Sequence, residues 1–166
     1  DIESLRRGLK EAALYDRRLL IEKGVDCREI ETSVLGNYDV KAAAVGEIVA
    51  TEDFYDYDSK YIDDGKPKMK IPADLPEDVS EKIKEIAIRA FRAIDGEGYA
   101  RCDFFIDKAD GSIYLNEINT IPGFTAFSMF PLLWETAGVP YGETIERIIG
   151  LGYERYYAAH NRKTNK

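Results

Sequence analysis

Hydrophobic and polar residues recur with two different periods along the chain, and each period occupies its own segments. A period near 3.6 predicts four helices, at residues 1–13, 76–94, 128–137 and 141–157. Alternation of period two, or a short apolar run, predicts five strands, at residues 19–25, 29–36, 42–50, 99–106 and 112–119. The Asp110–Gly111 pair between the last two strands is typical of a hairpin turn.

Two segments show neither period. Residues 51–73 mix aromatic residues with acids, Lys, Gly and Pro, and a loop of this length in a compact domain usually has a function, such as a lid over an active site. Residues 158–166 are polar and predict a frayed, disordered tail. The order of the other elements predicts one α+β domain, in which an antiparallel sheet packs against helices.

Composition and charge narrow the classes of function. The net charge is −8, from 31 acidic and 23 basic residues, and Lys and Arg form no cluster longer than a pair. Nucleic acid and anionic membranes are therefore not expected as partners. No apolar run approaches the roughly 20 residues of a membrane span, and no signal peptide is visible. Because Cys27 and Cys102 lack metal or redox spacing, we expect a soluble protein of the reducing cytoplasm.

Polar residues of matching parity lie on the two strands of the predicted hairpin. Arg101 and Asp103 share one face of "YARCDFFI", and Glu117 and Asn119 share one face of "YLNEIN". If the strands pair in register, two carboxylates meet, and burying them together requires a cation. These oxygen ligands suit Mg²⁺, which completes its shell with water and phosphate oxygens. The pattern predicts a site for Mg–nucleotide phosphoryl chemistry, in which Arg101 binds a phosphoryl group or a developing oxyanion.

A structural alternative exists for the same residues. Arg101 could form a surface ion pair with Asp103 or Glu117, and Asn119 could simply begin the turn. Two polar pairs of matching parity, followed by a turn rich in glycine and hydroxyl groups, favour the site over this alternative.

Three segments together resemble a known family. "RCDFF…YLNEINTIPGFTAFSMFPLLW", "FYDYDSKYIDDG" and "IEKGVDCREIETSVLGN" closely resemble the carboxy-terminal part of the D-alanine–D-alanine ligases, ATP-grasp enzymes of bacterial cell-wall synthesis. The resemblance covers residues 1 to about 157. It implies an ATP-grasp antiparallel sheet flanked by helices, of which residues 1–166 would form the carboxy-terminal part. It also implies D-alanine as substrate, with ATP and two Mg²⁺ ions, for which Mn²⁺ can substitute.

The resemblance assigns roles to the hairpin and to the turn after it. Asp103, Glu117 and Asn119 would hold the two Mg²⁺ ions, with Glu117 bridging them. Arg101 and the backbone N–H of Gly123 would stabilise the oxyanion of the tetrahedral intermediate.

The resemblance also assigns residues to the second substrate. Ser128 and the N–H of Met129 would hold the carboxylate of the second D-alanine, since helix N-termini bind anions. Lys60 and Tyr61 of the lid would close over this substrate, and Tyr61 would take part in catalysis.

The segment "IEKGVDCREIE" resembles the nucleotide hinge of the family. Glu22, Lys23 and Val25 would surround the adenine, and Glu29 would accept hydrogen bonds from the ribose hydroxyls. An exposed acidic strand explains Glu22 and Glu29 nearly as well, so the hinge assignment depends on the metal motif.

Several parts of the family pattern have no counterpart in this sequence. They are the amino-terminal domain, the glutamate that receives the first D-alanine, and the glycine-rich phosphate loop with its lysines. The resemblance implies a full-length ligase that is a homodimer and contains this missing amino-terminal part. Because these parts are missing, we expect the present chain to be inactive alone. Two alternatives are another ATP-grasp ligase, such as a D-alanine–D-lactate ligase, and a module that only binds nucleotide or metal.

Overall fold

The computed structural model describes residues 1–49 and 68–161. Its elements are, in chain order, α1 (Ile2–Ala12), β1 (Cys27–Gly36), β2 (Lys41–Val49), β3 (Lys68–Lys70), α2 (Glu77–Ala93), β4 (Gly98–Asp107), β5 (Ile113–Asn119), α3 (Met129–Thr136) and α4 (Tyr141–His160). The strands form one antiparallel sheet with the order β3-β2-β1-β4-β5. The predicted α+β architecture is confirmed.

Helices cover the two faces of the sheet unequally. α2 packs on one face, where its buried residues Ile83, Ala87 and Phe91 join an apolar cluster from β1 and β4. α3 packs on part of the opposite face, together with residues of β1 and β2. Burial of each large apolar side chain contributes roughly 1.5–3 kcal/mol, so these two clusters hold the layers together. The rest of the second face is not covered by α3 and carries polar side chains.

β1 is more buried than its alternating sequence predicts. The prediction was a half-exposed strand, yet residues 32–36 are all buried, because α2 and α3 cover both faces at this end. The two buried hydroxyls have partners: Thr32 Oγ1 donates to the Ala44 carbonyl at 3.0 Å, and Ser33 Oγ donates to the Phe130 carbonyl at 3.4 Å. Hydrogen-bonded Thr and Ser therefore occupy the interior at low cost.

One predicted strand and the ends of two other predicted segments need correction. Residues 19–25 form no strand, and Leu20 and Ile21 are exposed, because no described strand lies beside them to pair with their backbone groups. Lys68–Lys70, at the end of the predicted loop, instead pair with β2 as β3. α4 extends to His160, so the predicted tail begins as helix.

Two other parts of the predictions lie outside the description. Residues 51–67 of the predicted lid, residue 50 at the end of a predicted strand, and residues 162–166 of the predicted tail are not among the described residues. Over residues 1–49 and 68–161, no helix combines the length and apolar character needed to cross a membrane.

Gly36 ends β1 in a conformation that other residues rarely adopt. Its φ is +140°, and a Cβ there would lie 2.6 Å from the Asp39 carbonyl oxygen and 2.8 Å from the Val40 Cα. We predict that Gly36→Ala lowers the free energy of unfolding by about 2 kcal/mol or more. Gly150→Ala in α4, where a Cβ meets no atom within 4 Å, should be neutral or stabilising. Urea denaturation of both variants tests this, and equal effects would contradict it.

Candidate functional site

The register of the sheet places polar side chains in rows across the part of its second face that α3 does not cover. Asp103 of β4 pairs with Glu31 of β1 on one side and with Glu117 of β5 on the other. In the next row, Arg101 pairs with Asn119. Directly paired residues project from the same face of a sheet. The structure therefore brings together the four hairpin residues that the sequence selected, and it adds Glu31.

A β-bulge in β5 extends this face toward the start of the strand. Glu117 pairs with Asp103, and Tyr114 pairs with Phe105. Between these pairs β4 has one residue, which pairs with Leu115, whereas β5 has two, so Asn116 is the extra residue. Simple alternation from Glu117 would have turned Tyr114 to the opposite face. Because of the bulge, Tyr114 and Phe105 lie on the same face as the carboxylates.

A cavity of about 720 Å³ opens beside the row that contains Phe105 and Tyr114. Its lining includes all four residues predicted for the nucleotide hinge, Glu22, Lys23, Val25 and Glu29. Besides Gly24 and Cys27, it includes four residues of β4 and β5 that the sequence analysis did not select, Phe105, Tyr114, Leu115 and Asn116. The parity that Phe105 shares with Asp103 could have identified the first of these, whereas the bulge hides the others. A cavity of this size, lined by both apolar and polar side chains, suits a nucleotide.

Arg101 is the cation beside the acidic row. Its Nε and Nη2 each donate a 2.7 Å hydrogen bond to Asp103, and its Nε also lies 3.0 Å from Glu31 Oε2. The side chains of Arg101, Glu31 and Asp103 are only 20%, 13% and 14% exposed. The hydrogen bonds that Arg101 donates to Asp103 raise the pKa of Arg101, which burial alone would lower. The Arg101–Asp103 pair of the structural alternative is thus present, but it lies largely inside the protein.

Glu31 is the residue that the sequence analysis missed. Although Arg101 Nε is close, its hydrogen bond goes to Asp103, and the buried Glu31 Oε2 has no hydrogen-bond partner among the described residues. Burial, and then repulsion by Asp103, raise the pKa of Glu31 to about 7, against the opposing effect of Arg101. An unsatisfied buried carboxylate oxygen is uncommon in proteins and indicates a site that lacks a partner. The parity that Glu31 shares with Glu29 was the available signal.

The predicted metal ligands fit Mg²⁺ by chemistry and by register. Two carboxylates and an amide oxygen, from Asp103, Glu117 and Asn119, lie in adjacent rows of one face. Asn119 Oδ1 accepts a hydrogen bond from the Ile121 N–H at 3.1 Å, which leaves a second lone pair for a cation. Glu117 is exposed on the edge strand, so only Asp103 of the predicted carboxylate pair is buried.

This ligand set is not a closed metal cage. Among the described residues, no group of three or more His, Cys, Asp or Glu side chains is arranged to hold an ion. The predicted set has only two carboxylates, and Arg101 occupies both oxygens of Asp103. Binding of an ion would therefore require a change at Asp103 and additional oxygens, such as those of a phosphate.

The segment between β5 and α3 folds back on itself. A Cβ on Gly123 would lie 3.2 Å from Ser128 Oγ. That hydroxyl accepts a 3.0 Å hydrogen bond from the Thr125 N–H, lies 2.8 Å from Thr125 Oγ1, and caps no amide of α3. The N-terminal amides of α3, which begins at Met129, therefore donate no hydrogen bond to the Ser128 side chain. Amides at the N-terminus of a helix can bind an anion.

α3 is anchored to the sheet beside Arg101. Ser33 pairs with Arg101 across β1 and β4, and Ser33 Oγ donates to the Phe130 carbonyl in the first turn of α3. The predicted lid residues Lys60 and Tyr61 lie outside the described residues.

Solved structures identify the sheet and its helices as part of an ATP-grasp fold. The D-alanine–D-alanine ligase from Coxiella burnetii matches with a TM-score of 0.81 and 35% identity, over 94% of this chain and 40% of that one. The D-alanine–D-alanine ligase from Bacillus anthracis complexed with ATP matches with a TM-score of 0.80 and 27% identity, over 96% of this chain and 50% of that one.

Residues 1–150 match the family profile described as "D-ala D-ala ligase C-terminus". The chain therefore belongs to the D-alanine–D-alanine ligase family, as its sequence motifs predicted. The curated D-alanine–D-alanine ligase of Lactococcus lactis subsp. lactis (strain IL1403) is 52% identical over 162 residues, which are 97% of this chain and 46% of that protein. The chain thus spans less than half the length of this relative.

Replacement of Glu31 should change how stability depends on pH. The native state keeps the Glu31 proton up to about pH 7, whereas the usual pKa is 4.5, so the charge of Glu31 destabilises the fold as pH rises through this window. We predict that Glu31→Gln, which mimics the protonated acid, raises the unfolding free energy by about 2–3 kcal/mol at pH 8 and by much less at pH 5.

Glu47→Gln is the matched control for this prediction. Glu47 accepts two 2.7 Å hydrogen bonds from Arg28, so this change should destabilise the chain at both pH values. Urea denaturation at pH 5 and pH 8 gives the comparison. Parallel pH profiles for Glu31→Gln and the parent chain would show that Glu31 does not have the raised pKa.

Proposed function

We propose that this chain is the metal-binding and nucleotide-hinge part of an ATP-dependent D-alanine–D-alanine ligase for peptidoglycan precursor synthesis. The observation that carries the proposal is the continuous polar face of β1, β4 and β5. At one end it opens into the cavity lined by the four predicted hinge residues, and at the other it holds Arg101 beside α3. Similarity to ligases of the same family over 94–97% of the chain supports the same function.

In this proposal, the reaction has two stages. The first D-alanine carboxylate attacks the γ-phosphoryl group of ATP, which gives an acyl phosphate and ADP. The amine of the second D-alanine then attacks the acyl carbon, and the tetrahedral intermediate expels phosphate and loses a proton to give D-alanyl-D-alanine.

The hinge and the hairpin would bind the nucleotide. Glu22, Lys23 and Val25 would surround the adenine at the 720 Å³ cavity, and Glu29 would accept from the ribose hydroxyls. The phosphates would then run over the row of carboxylates. Mg²⁺, bound by Asp103, Glu117 and Asn119, would neutralise charge on the transferred phosphoryl group, and Mn²⁺ could replace it.

Arg101 and the turn before α3 would hold the developing negative charge and the acceptor. The guanidinium of Arg101 and the N–H of Gly123 would donate to the oxyanion of the tetrahedral intermediate. Ser128 and the Met129 N–H would bind the carboxylate of the second D-alanine, and the position of Ser128 Oγ beside Gly123 supports a joint role. Lys60 and Tyr61 would close over that substrate.

The resemblance alone supports the remaining parts of the proposal. These are a homodimeric, cytoplasmic ligase, in which an amino-terminal part of the same polypeptide supplies the first-substrate site and the phosphate grip. Because catalysis by positioning requires both substrates to be held together, the present chain alone should form no dipeptide. Calorimetric titration with Mg–ADP would show whether it still binds nucleotide.

Glu117 gives a direct test of the metal assignment. In the full-length ligase, Glu117→Gln should lower kcat on the order of 100-fold or more, because a bridging anion becomes a neutral amide and several kcal/mol of charge stabilisation are lost. Glu135→Gln, which changes an exposed carboxylate of α3, should leave kcat unchanged. Initial rates of phosphate release across a range of Mg²⁺ concentrations measure both variants. Turnover close to that of the parent at limiting Mg²⁺ would remove Glu117 from the ligands.

Tyr61 tests whether the acceptor is an amino acid. An amine must attack as the neutral base, and a Tyr hydroxyl can both donate and accept in a network over the acceptor, whereas Phe cannot. In the full-length ligase, with D-alanine and D-lactate in competition, Tyr61→Phe should therefore raise the share of ester product, most clearly at mildly acidic pH. Chromatography of both products gives the ratio. A ratio unchanged across pH would leave Tyr61 with a packing role and leave a D-alanine–D-lactate ligase as an open alternative.

A further inference from the structure

Two requirements conflict at Asp103. In this structure both of its carboxylate oxygens accept hydrogen bonds from Arg101, each at 2.7 Å. Under the proposed function, the same carboxylate also holds a metal ion. A cation placed beside these oxygens repels the guanidinium, so the two-pronged Arg101–Asp103 pair cannot persist unchanged when the ion binds. Arg101 then needs another anionic partner, because a largely buried cation without one is costly.

We propose that Glu31 is a positioning residue, which receives the Arg101 guanidinium when Asp103 turns to the metal ion. This inference rests on the proposed function. Glu31 is the direct cross-strand partner of Asp103, and its Oε2 already lies 3.0 Å from Arg101 Nε. That oxygen is buried and has no hydrogen-bond partner within residues 1–49 and 68–161, so it can accept a hydrogen bond from Arg101. The exchange requires side-chain rotation only, since the two acids occupy adjacent strands in one row.

No other described acid is placed to take this role. Glu29 lies in the next row, opposite Phe105, and among the ion pairs of the described residues Arg101 contacts only Asp103 and Glu31. Glu117 lies on the far side of Asp103 and is itself assigned to the metal. Glu31 therefore controls metal affinity without touching the ion: it lowers the cost of separating Arg101 from Asp103.

The same exchange keeps Arg101 where the reaction needs it. Arg101 lies in the row of Ser33, which is tied to the first turn of α3. A guanidinium held by Glu31 remains in this row, between the metal ligands and the helix that would hold the acceptor. Without Glu31, the Arg101 guanidinium either competes with the ion for Asp103 or moves away from the row.

Binding of Mn²⁺ in the presence of ADP tests the proposal without measuring turnover. Electron paramagnetic resonance of free Mn²⁺ at pH 8 gives the dissociation constant for the full-length ligase and its variants. Glu31→Gln should weaken Mn²⁺ binding tenfold or more. Glu47→Gln, which removes the acidic partner of Arg28 on the other face of the sheet, should change it less than twofold. Equal affinities for the parent ligase and Glu31→Gln would overturn the proposal.

A double-mutant cycle separates an action through Arg101 from a direct action on the ion. In an Arg101→Met background, Glu31 has no guanidinium to bind, so Glu31→Gln should change the Mn²⁺ affinity less than twofold. A tenfold loss that persists in this background would mean that Glu31 acts on the metal directly, and it would overturn the positioning role.

Nitrogen-15 NMR of the Arg101 Nε–H group gives a second readout that does not require Arg101→Met to fold. Arg101→Lys identifies the resonance by its loss. On addition of Mg²⁺ and ADP, the resonance should remain protected from solvent exchange in the parent chain and should broaden in Glu31→Gln. Identical behaviour in both would contradict the transfer.

The outcomes distinguish this inference from the proposed function on which it rests. If the full-length ligase binds no Mn²⁺ with ADP, the metal assignment fails and the inference fails with it. If the full-length ligase binds Mn²⁺ and Glu31→Gln binds it equally well, the metal site stands and only the role of Glu31 is lost.

Discussion

The register of β4 between β1 and β5 is the constraint on which the site depends. It places Glu31, Asp103 and Glu117 in one row and Arg101 with Asn119 in the next. A shift of one residue in either pairing would send the polar side chains of the displaced strand toward α2 and its apolar cluster. The apolar alternation of β4 under α2 therefore fixes the polar face as well as the core. The strand pairing that forms the core therefore also assembles the site.

The elements and the central residues could be predicted from the sequence because they follow periodic rules. Parity alone placed Arg101 with Asp103, and Glu117 with Asn119, and the hairpin turn at Gly111 brought the two pairs together. Glu31 was not found, because alternation marks a polar position on a strand but does not tell whether a neighbouring strand covers it. Glu31 belongs to the site because it pairs with Asp103, which is 72 positions away in the chain and adjacent in the sheet.

Other features depended on information that periodicity does not contain. The bulge at Asn116 breaks the alternation on which parity depends, so Tyr114 could not be assigned to the cavity. Residues 19–25 have the composition of a strand but no described neighbour to pair with, and pairing is a property of the sheet. The roles of the site residues came from the family resemblance, since register and burial bring groups together without specifying which molecule they bind.

The bulge in β5 also affects how the chain meets other chains. β5 is an outer strand of the described sheet, and a long regular outer strand offers unpaired backbone N–H and C=O groups to any similar strand in solution. Residues of β5 line the cavity that we propose for the nucleotide, so this strand has to stay accessible to a ligand. The extra residue interrupts the regular spacing of those groups and increases the local twist. β5 can therefore remain open to a small ligand and still be a poor template for edge-to-edge aggregation.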